Sequence, residues 1–305
     1  MQHYRSLEAV NLQNSWLTIG VFDGVHRGHQ QIIKKLTTGA HANAAPAVVL
    51  TFDPHPASVL TGRELKCLTL PDERADLLGR SGVDVVITEH FTRELSTVSA
   101  YDFMTRLTRQ LSLKCLLIGY DFALGKGREG NAARLTEIGS ELGYAVEVVP
   151  ALSDESGVIS STEIRKLIEI GNVSEAARLL GHPYGLQGPV IHGDGRGKTI
   201  HVPTANISYS HAKMIPARGI YACWAYLGEE KYRAAINIGI NPTFTPDKQT
   251  PNVEVHFLDF EREIYGEDVR LEFVARLRDE LKFNSVDVLL EQIWKDVELT
   301  RKILS

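Results

Sequence analysis

Between residues 16 and 149, short apolar runs alternate with stretches whose apolar residues recur at helical spacing. Segments 16–21, 47–52, 83–88, 115–118 and 145–149 read as strands, with 28–40, 72–81, 100–111 and 131–143 as the helices among them. Strands that alternate with helices in this way form a parallel sheet covered by helices. Ligands of such sheets lie beyond the carboxyl ends of the strands, so the loops after the first, second and fourth of these strands are expected to converge on one crevice.

The texture changes at His182-Pro183-Tyr184-Gly185, which interrupts a helical pattern. Beyond it, segments 186–191, 220–227, 232–238, 252–258 and 269–277 are β-branched and aromatic, separated by Gly, Pro, Asn and Asp, as in a small antiparallel barrel. The tail, 286–304, sets Val288, Leu289, Ile293, Val297 and Thr300 near one face and predicts an amphipathic helix packed on that barrel. The chain is thus read as an α/β domain over residues 1–181 and a β-barrel domain over 182–305.

Composition narrows the partners. A formal net charge of -5 over 305 residues offers no broad basic face, which argues against nucleic acid and leaves small phosphorylated ligands held locally. Cys67, Cys115 and Cys223 are isolated and lack metal-type spacing, so reduced thiols and a cytoplasmic location are expected. Residues 1–13 carry no signal-like apolar block, and no run approaches the ~20 apolar residues of a membrane span, so no membrane partner is expected.

Candidate chemistry concentrates in the loops. Residues 20–29, Gly-Val-Phe-Asp-Gly-Val-His-Arg-Gly-His, pack glycines and two histidines into the turn between the first strand and its helix, where backbone N–H groups face an anion. His26 and His29, three apart at the helix start, stand on one side and are suited to supply donors to a departing pyrophosphate, although Gly-rich turns and stray histidines are also common. A zinc pair on a helix more usually sits four apart, and no Cys is near. Two prolines, Pro54 and Pro56, stiffen the bend after the second strand, and residues 119–125 follow the fourth.

Residues 125–130, Gly-Lys-Gly-Arg-Glu-Gly, match a dinucleotide fingerprint by letter but lie six residues beyond the strand, and read better as a mobile basic lid. Ser160, Ser161 and Thr162 open a helix with hydroxyls that cap its free N–H groups, and Arg165 one turn in is suited to grip a phosphate; capping alone also accounts for the hydroxyls.

The second domain carries Gly193-Asp194-Gly195-Arg196-Gly197-Lys198-Thr199, which ends like a P-loop but lacks its leading glycine and meets Pro203 too soon for a helix. It reads as a glycine loop closing over a nucleotide. Directly after it, Thr204 and Asn206 lie two apart, pointing the same way on an extended strand, which suits oxygen ligation of Mg shared with ATP phosphates or a hydrogen-bond clip. Glu254 and His256 share the strand face opposite Val253, Val255 and Phe257; Glu254, if turned inward, would accept the proton of an attacking alcohol, whereas an outward carboxylate is commonly a solvated surface group.

These motifs, in this order, resemble the bifunctional bacterial riboflavin kinase/FMN adenylyltransferase (FAD synthetase) family from about residue 15 to the C-terminal helix. The resemblance implies a Rossmann-like nucleotidyltransferase domain followed by a riboflavin kinase on a six-stranded barrel. It implies that the barrel phosphorylates riboflavin to FMN with ATP, with Glu254 as base, Thr204 and Asn206 on Mg-ATP, and Gly195, Arg196 and Gly197 in the nucleotide loop. The α/β domain then joins FMN to a second ATP, releasing FAD and pyrophosphate. Gly20, Phe22, Asp23, Gly28, Ser161, Thr162 and Arg165 would line its nucleotide, with His26 and His29 on the phosphates. Asp53, Pro54 and Asp121 would face the flavin of this domain and Arg278 that of the kinase, although an ion pair at the strand end also accounts for Arg278.

One departure stands out: the family usually carries a glycine where this chain has His201, and a positive φ there would cost about 1 kcal/mol. Two other readings remain at this stage. Another small-substrate nucleotidyltransferase with an unrelated barrel would give Thr204, Asn206 and Glu254 no role, and a flavin or nucleotide sensor would bind without turnover.

Overall fold

The structure is a computed structural model and describes residues 1–154, 157–193, 202–239 and 251–305. It divides into two compact units, Met1–Ser161 and Thr162–Ser305. By this measure the division falls about twenty residues before the change of texture at His182, because the two helices after Ser160 pack with the second unit.

The first unit is built on a six-stranded parallel sheet, ordered β1-β4-β3-β2-β5-β6. Its strands are β1 (Gln2–Tyr4), β2 (Trp16–Ile19), β3 (Ala47–Asp53), β4 (Val85–His90), β5 (Cys115–Gly119) and β6 (Ala145–Val149). Central strand β3 is apolar on both faces, with Ala47, Val48, Val49 and Leu50 all fully buried, as a strand sandwiched between helix layers must be. The helices are α1 (Arg27–Ala42), the short α2 (Pro56–Thr61), α3 (Pro71–Arg80), α4 (Ala100–Leu111) and α5 (Ala132–Leu142). Alternate residues of the strands pack to opposite sides: Leu17, Val48 and Leu50 join Met104, Leu107 and Ile138, while Val49 and Leu117 join Ile33, Leu36 and Leu78.

Local signals set the helix ends. Ser99 accepts from Asp102 N at 3.1 Å to cap α4, and Asn131 accepts from Arg134 N at 3.1 Å to cap α5, which ends at Gly143 in the left-handed region. The edge strand β1 and helix α2 are absent from the sequence pattern: β1 is three residues long and half polar, and α2 follows a proline-rich bend. Order reverses where β2 lies between β3 and β5, and it is beyond the carboxyl ends of the strands at such a point that sheets of this kind bind ligands. A small antiparallel pair, β7 (Ser153–Asp154) with β8 (Gly157–Val158), follows the sheet.

The second unit opens with α6 (Ser161–Glu169, entering from Thr162) and α7 (Val173–Leu180) and continues into a closed antiparallel barrel ordered β10-β13-β12-β11-β14-β9. Its strands are β9 (Tyr184–Ile191), β10 (Ala205–Ile207), β11 (Gly219–Leu227), β12 (Glu230–Gly239), β13 (Asn252–Phe257) and β14 (Asp268–Arg278). Closure leaves the sheet without an open edge. Inward residues alternate along β9, β12 and β13, while β11 is irregular where Tyr221, Ala222 and Cys223 are all buried; Tyr221, Ile236, Val255, Leu271 and Phe273 lie inside. The last helix, α8 (Val286–Ile303), lies against β11, β12 and β14. It buries Val297 and Thr300, whereas Val288, expected on that face, is 51% exposed, as is its neighbour Val286 at 55%.

Candidate active sites

In the first unit the loop after β2 is held in an unusual backbone. Phe22 (φ 51°), Gly24 (φ 81°) and Val25 (φ 42°) all take left-handed conformations, and a β-branched residue there is a strained choice found where function demands it. Asp23 is buried at 2% exposure, and its carboxylate accepts from Leu68 N at 3.0 Å, Thr69 N at 2.9 Å and Thr69 Oγ1 at 3.2 Å. Thr69 Oγ1 in turn accepts from Gly24 N at 2.9 Å. Asp23 therefore anchors the loop to the segment of Leu68 and Thr69 through its carboxylate.

His26 caps α1, its Nδ1 accepting from His29 N at 3.4 Å, an arrangement that places the ring proton on Nε2. The two rings stack 3.6 Å apart at 19°, and Phe22 meets His29 edge-on at 5.1 Å. Rings lying face to face do not converge on a single ion, which disfavours the zinc pair. Burial pushes the His26 imidazole down to about 4, against a smaller opposing pull from Asp23. Burial, the His26 ring and the Arg74 charge hold His29 well below its ordinary value. Both rings are neutral at pH 7, and each carries one N–H. His29 Nδ1 is buried without a hydrogen-bond partner. A Cβ on Gly28 would lie 3.2 Å from the His26 ring, so a glycine here gives the stack its room.

Ser161 Oγ donates to the Asp23 carbonyl at 2.8 Å, tying the end of the first unit to this loop. Thr162 and Arg165 lie in the second unit, Thr162 exposed and Arg165 half-buried. Asp53 and Pro54, joined by a cis peptide bond, are exposed at the end of β3, and Asp121 is exposed after β5. These positions flank the carboxyl end of β2, since β2 pairs with both β3 and β5. Residues 125–130 are tied down: Lys126 N donates to Val98 O at 2.9 Å, Ala100 N to Glu129 Oε1 at 2.8 Å, and Leu124 pairs with Gly130. Such bonding is that of a turn packed on the start of α4.

In the second unit Glu254 stands directly opposite Asn206 on one side and Asn237 on the other. Because Val253, Val255 and Phe257 fill the barrel interior, this row faces outward, which corrects the expected inward placement of Glu254: its carboxylate borders a cavity on the outer wall instead. The outer wall here is covered. Thr204, Asn237, Glu254, His256 and Arg278 line a cavity of about 300 Å³ closed on its far side by Leu289, Ile293 and Asp296 of α8. A second cavity, of about 280 Å³, shares Thr204 and is lined by Phe257, Phe260, Arg262 and Tyr265. Tyr265 stacks on His192 at 3.9 Å.

Asn237 Oδ1 is buried without a partner, and His256 Nδ1 lies 2.9 Å from the Pro203 carbonyl, fixing the segment that carries Thr204. Arg278 spends its fork on Asp296, Nε to Oδ1 at 3.0 Å and Nη2 to Oδ2 at 2.7 Å, and Gln292 supports the same carboxylate at 3.0 Å. Arg278 thus reaches the cavity as one half of an ion pair. Gly195, Arg196, Gly197 and His201 lie outside the described residues.

Thr69, Arg74, Asn237 and Asp296 were not legible as site residues. Arg74 left one trace, a charged residue beside Ala75 and Leu78 on the buried face of α3. Asn237 left another, a polar residue within an apolar alternating strand.

A strained glycine-and-histidine loop at the switch point of a parallel sheet, and a closed barrel with a carboxylate beside a cavity on its outer wall, are the features a transferase of phosphoryl and nucleotidyl groups would use. The family described as FAD synthetase matches residues 8–163, and the family described as riboflavin kinase matches residues 180–304. The bifunctional riboflavin kinase/FMN adenylyltransferase of Listeria monocytogenes is 39% identical over 94% of this chain and 92% of its own length. Its counterpart in Haemophilus influenzae is 38% identical over 99% and 98%. A solved structure from Streptococcus pneumoniae, described as a macrolide-efflux protein, is 33% identical with a TM-score of 0.89 over 98% of both chains. The chain belongs to the bifunctional riboflavin kinase/FMN adenylyltransferase family, and both of its units are enzymatic. Among the described residues, no helix is long and apolar enough to cross a membrane.

Proposed function

We propose that the barrel domain, residues 182–305, phosphorylates riboflavin with ATP to give FMN, and that the α/β domain, residues 1–181, adenylylates FMN with a second ATP to give FAD and pyrophosphate. The observation that carries the reading is the row Asn206-Glu254-Asn237 on the barrel wall, a carboxylate between two amides, of which Glu254 and Asn237 line the cavity beside α8. The ribityl 5'-hydroxyl oxygen attacks the γ-phosphorus of ATP, its proton passes to the Glu254 carboxylate, and ADP leaves.

Both activities use ATP with a divalent metal. The oxygen donors Thr204, Asn206 and Glu254 are those a hard cation takes, and we assign Mg to Thr204 and Asn206. When bound with ATP, Mg neutralises phosphate charge. Glycines 195 and 197 with Arg196 are assigned to close over that nucleotide, and Arg278 to the flavin side of the cavity.

In the first unit an FMN phosphate oxygen, already ionised, attacks the α-phosphorus of ATP, and the bond to pyrophosphate breaks. No base is required. Neutral His26 and His29 donate their N–H groups to the phosphates as charge moves onto the leaving group, beside the backbone of Gly20, Phe22 and Gly28 at the start of α1. Ser161, Thr162 and Arg165 are assigned to close over the nucleotide, and Asp53, Pro54 and Asp121 to border the flavin. The activities are assigned to residues 1–181 and 182–305, in the cytoplasm, with the free thiols of Cys67, Cys115 and Cys223 in keeping.

The test is chromatography of products formed from riboflavin and Mg-ATP. Glu254→Gln is expected to lose FMN formation yet convert supplied FMN to FAD, and His29→Ala to accumulate FMN. Equal loss of both reactions in both variants would falsify the division of labour.

A further inference from the structure

Beneath the first loop lies a cation that the proposed chemistry does not use. Arg74, on α3, is only 3% exposed and sits beside Ala75 and Leu78, which pack with Ile33 and Leu36. A buried guanidinium costs several kcal/mol unless its charge and its N–H groups are met. Its Nη1 donates to the Val21 carbonyl at 2.6 Å, and Asp23 offsets its charge, while its Nε–H is buried without a partner.

The same Val21 carbonyl also accepts from Thr51 Oγ1 at 2.8 Å. Two side-chain donors therefore grip one carbonyl at the residue where the chain enters the left-handed Phe22, Gly24 and Val25. Backbone of this kind persists only where its surroundings over-determine it. Asp23 on Leu68 and Thr69 pins the middle of the turn, and the Val21 grip pins its start. With Nη1 on the Val21 carbonyl and the residue 3% exposed, the contact Arg74 makes to this loop is with its backbone.

We propose that Arg74 is a positioning residue for adenylyl transfer: by holding the Val21 carbonyl it fixes the left-handed turn that aims the loop backbone and the His26–His29 stack at the phosphates. The inference rests on the reading that the first unit carries that reaction. A stabilising role alone makes a different demand, because a buried charge exchanged for an apolar side chain of similar length is often neutral or better for stability.

The experiment measures steady-state FAD formation from supplied FMN and, separately, phosphorylation of riboflavin, on the full chain. Arg74→Met is expected to lower kcat for FAD formation roughly 100-fold, with KM for ATP and FMN within about threefold, since a misplacement of an ångström costs about that much. Arg74→Lys, which keeps the charge and one donor, is expected to recover kcat to within about tenfold of wild type, and Thr51→Val to lose about tenfold. Phosphorylation of riboflavin stays at the wild-type rate in all three.

A kcat for Arg74→Met within about threefold of wild type would overturn the proposal. So would an Arg74→Lys variant no faster than Arg74→Met. Should Arg74→Met fail to fold, Thr51→Val decides alone, and a wild-type kcat in it also overturns the grip on Val21. His29→Ala separates this inference from the one beneath it. Inactive His29→Ala with fully active Arg74 variants removes only the positioning role, whereas active His29→Ala removes the assignment of adenylyl transfer to this loop.

Discussion

The imidazole of His26 lies against that of His29, 3.6 Å away and 19° from parallel, at the first turn of α1. Stacked and largely desolvated, the pair is neutral in the folded protein, and it acquires protons readily only when the chain unfolds. The folded His26 value of about 4 lies below the unfolded 6.5, so the unfolded state binds more protons between those limits. The stabilisation is whole above pH 6.5 and drains away as pH falls toward 4.

Stability of the first unit is therefore expected to drop by about 2 kcal/mol between pH 6.5 and 5 from His26 alone, at about 1.4 kcal/mol per pH unit. His26→Asn, which keeps a capping side chain, should flatten that slope. Urea denaturation followed by Trp16 fluorescence, with Trp224 and Trp294 replaced by Phe, reads it. A slope unchanged in His26→Asn would assign the acid lability elsewhere.

Gly28→Ala probes the geometry of the same stack. The new methyl would come within 3.2 Å of the His26 ring and push it off His29, while the helix itself gains a better helix former. Adenylylation of FMN should fall roughly tenfold to 100-fold with little change in melting temperature. Riboflavin phosphorylation serves as the internal comparison, and unaltered adenylylation would detach the stack from the reaction.

Asn237 faces Glu254 across β12 and β13 with its Oδ1 buried and unpaired. An apolar replacement such as Asn237→Leu removes an unsatisfied group, so stability should change by no more than about 1 kcal/mol in either direction. Riboflavin phosphorylation should nevertheless slow by about tenfold or more, because the amide polarity beside the base is lost. Denaturation midpoints paired with initial rates distinguish the two effects.

The Arg278–Asp296 pair, at 18% and 8% side-chain exposure, joins the end of β14 to α8 across the cavity. Asp296→Ala leaves a half-buried guanidinium without its partner and should cost about 3 kcal/mol, with weaker riboflavin binding. Replacing both residues, Arg278→Met with Asp296→Leu, should recover most of the stability but not the binding. Calorimetry with riboflavin and thermal unfolding of the single and double variants supply the comparison.

The loops of residues 20–29 and 203–206 and the strand of Glu254 were legible because each packs its chemistry into a few consecutive residues between recognisable elements. Thr69 and Arg74 escaped notice because they meet the loop from another segment of the chain, through backbone groups that every residue possesses. The role given to Asp23 shows the reverse difficulty. Its motif suggests a ligand contact and gives no sign that its carboxylate accepts from the amides of Leu68 and Thr69.

Hydrophobic periodicity and punctuation by Gly and Pro were enough to determine the succession of strands and helices, the α/β and barrel architectures and the loops that bear the chemistry, since these rest on local geometry and on which residues avoid water. Tertiary structure alone decided which face of β13 turns toward α8, which side chains hold the loop after β2 in its left-handed turn, and that Arg278 is committed to Asp296. Each of those depends on atoms far apart in the chain coming within a hydrogen bond of one another, and on the low polarity that burial creates around them.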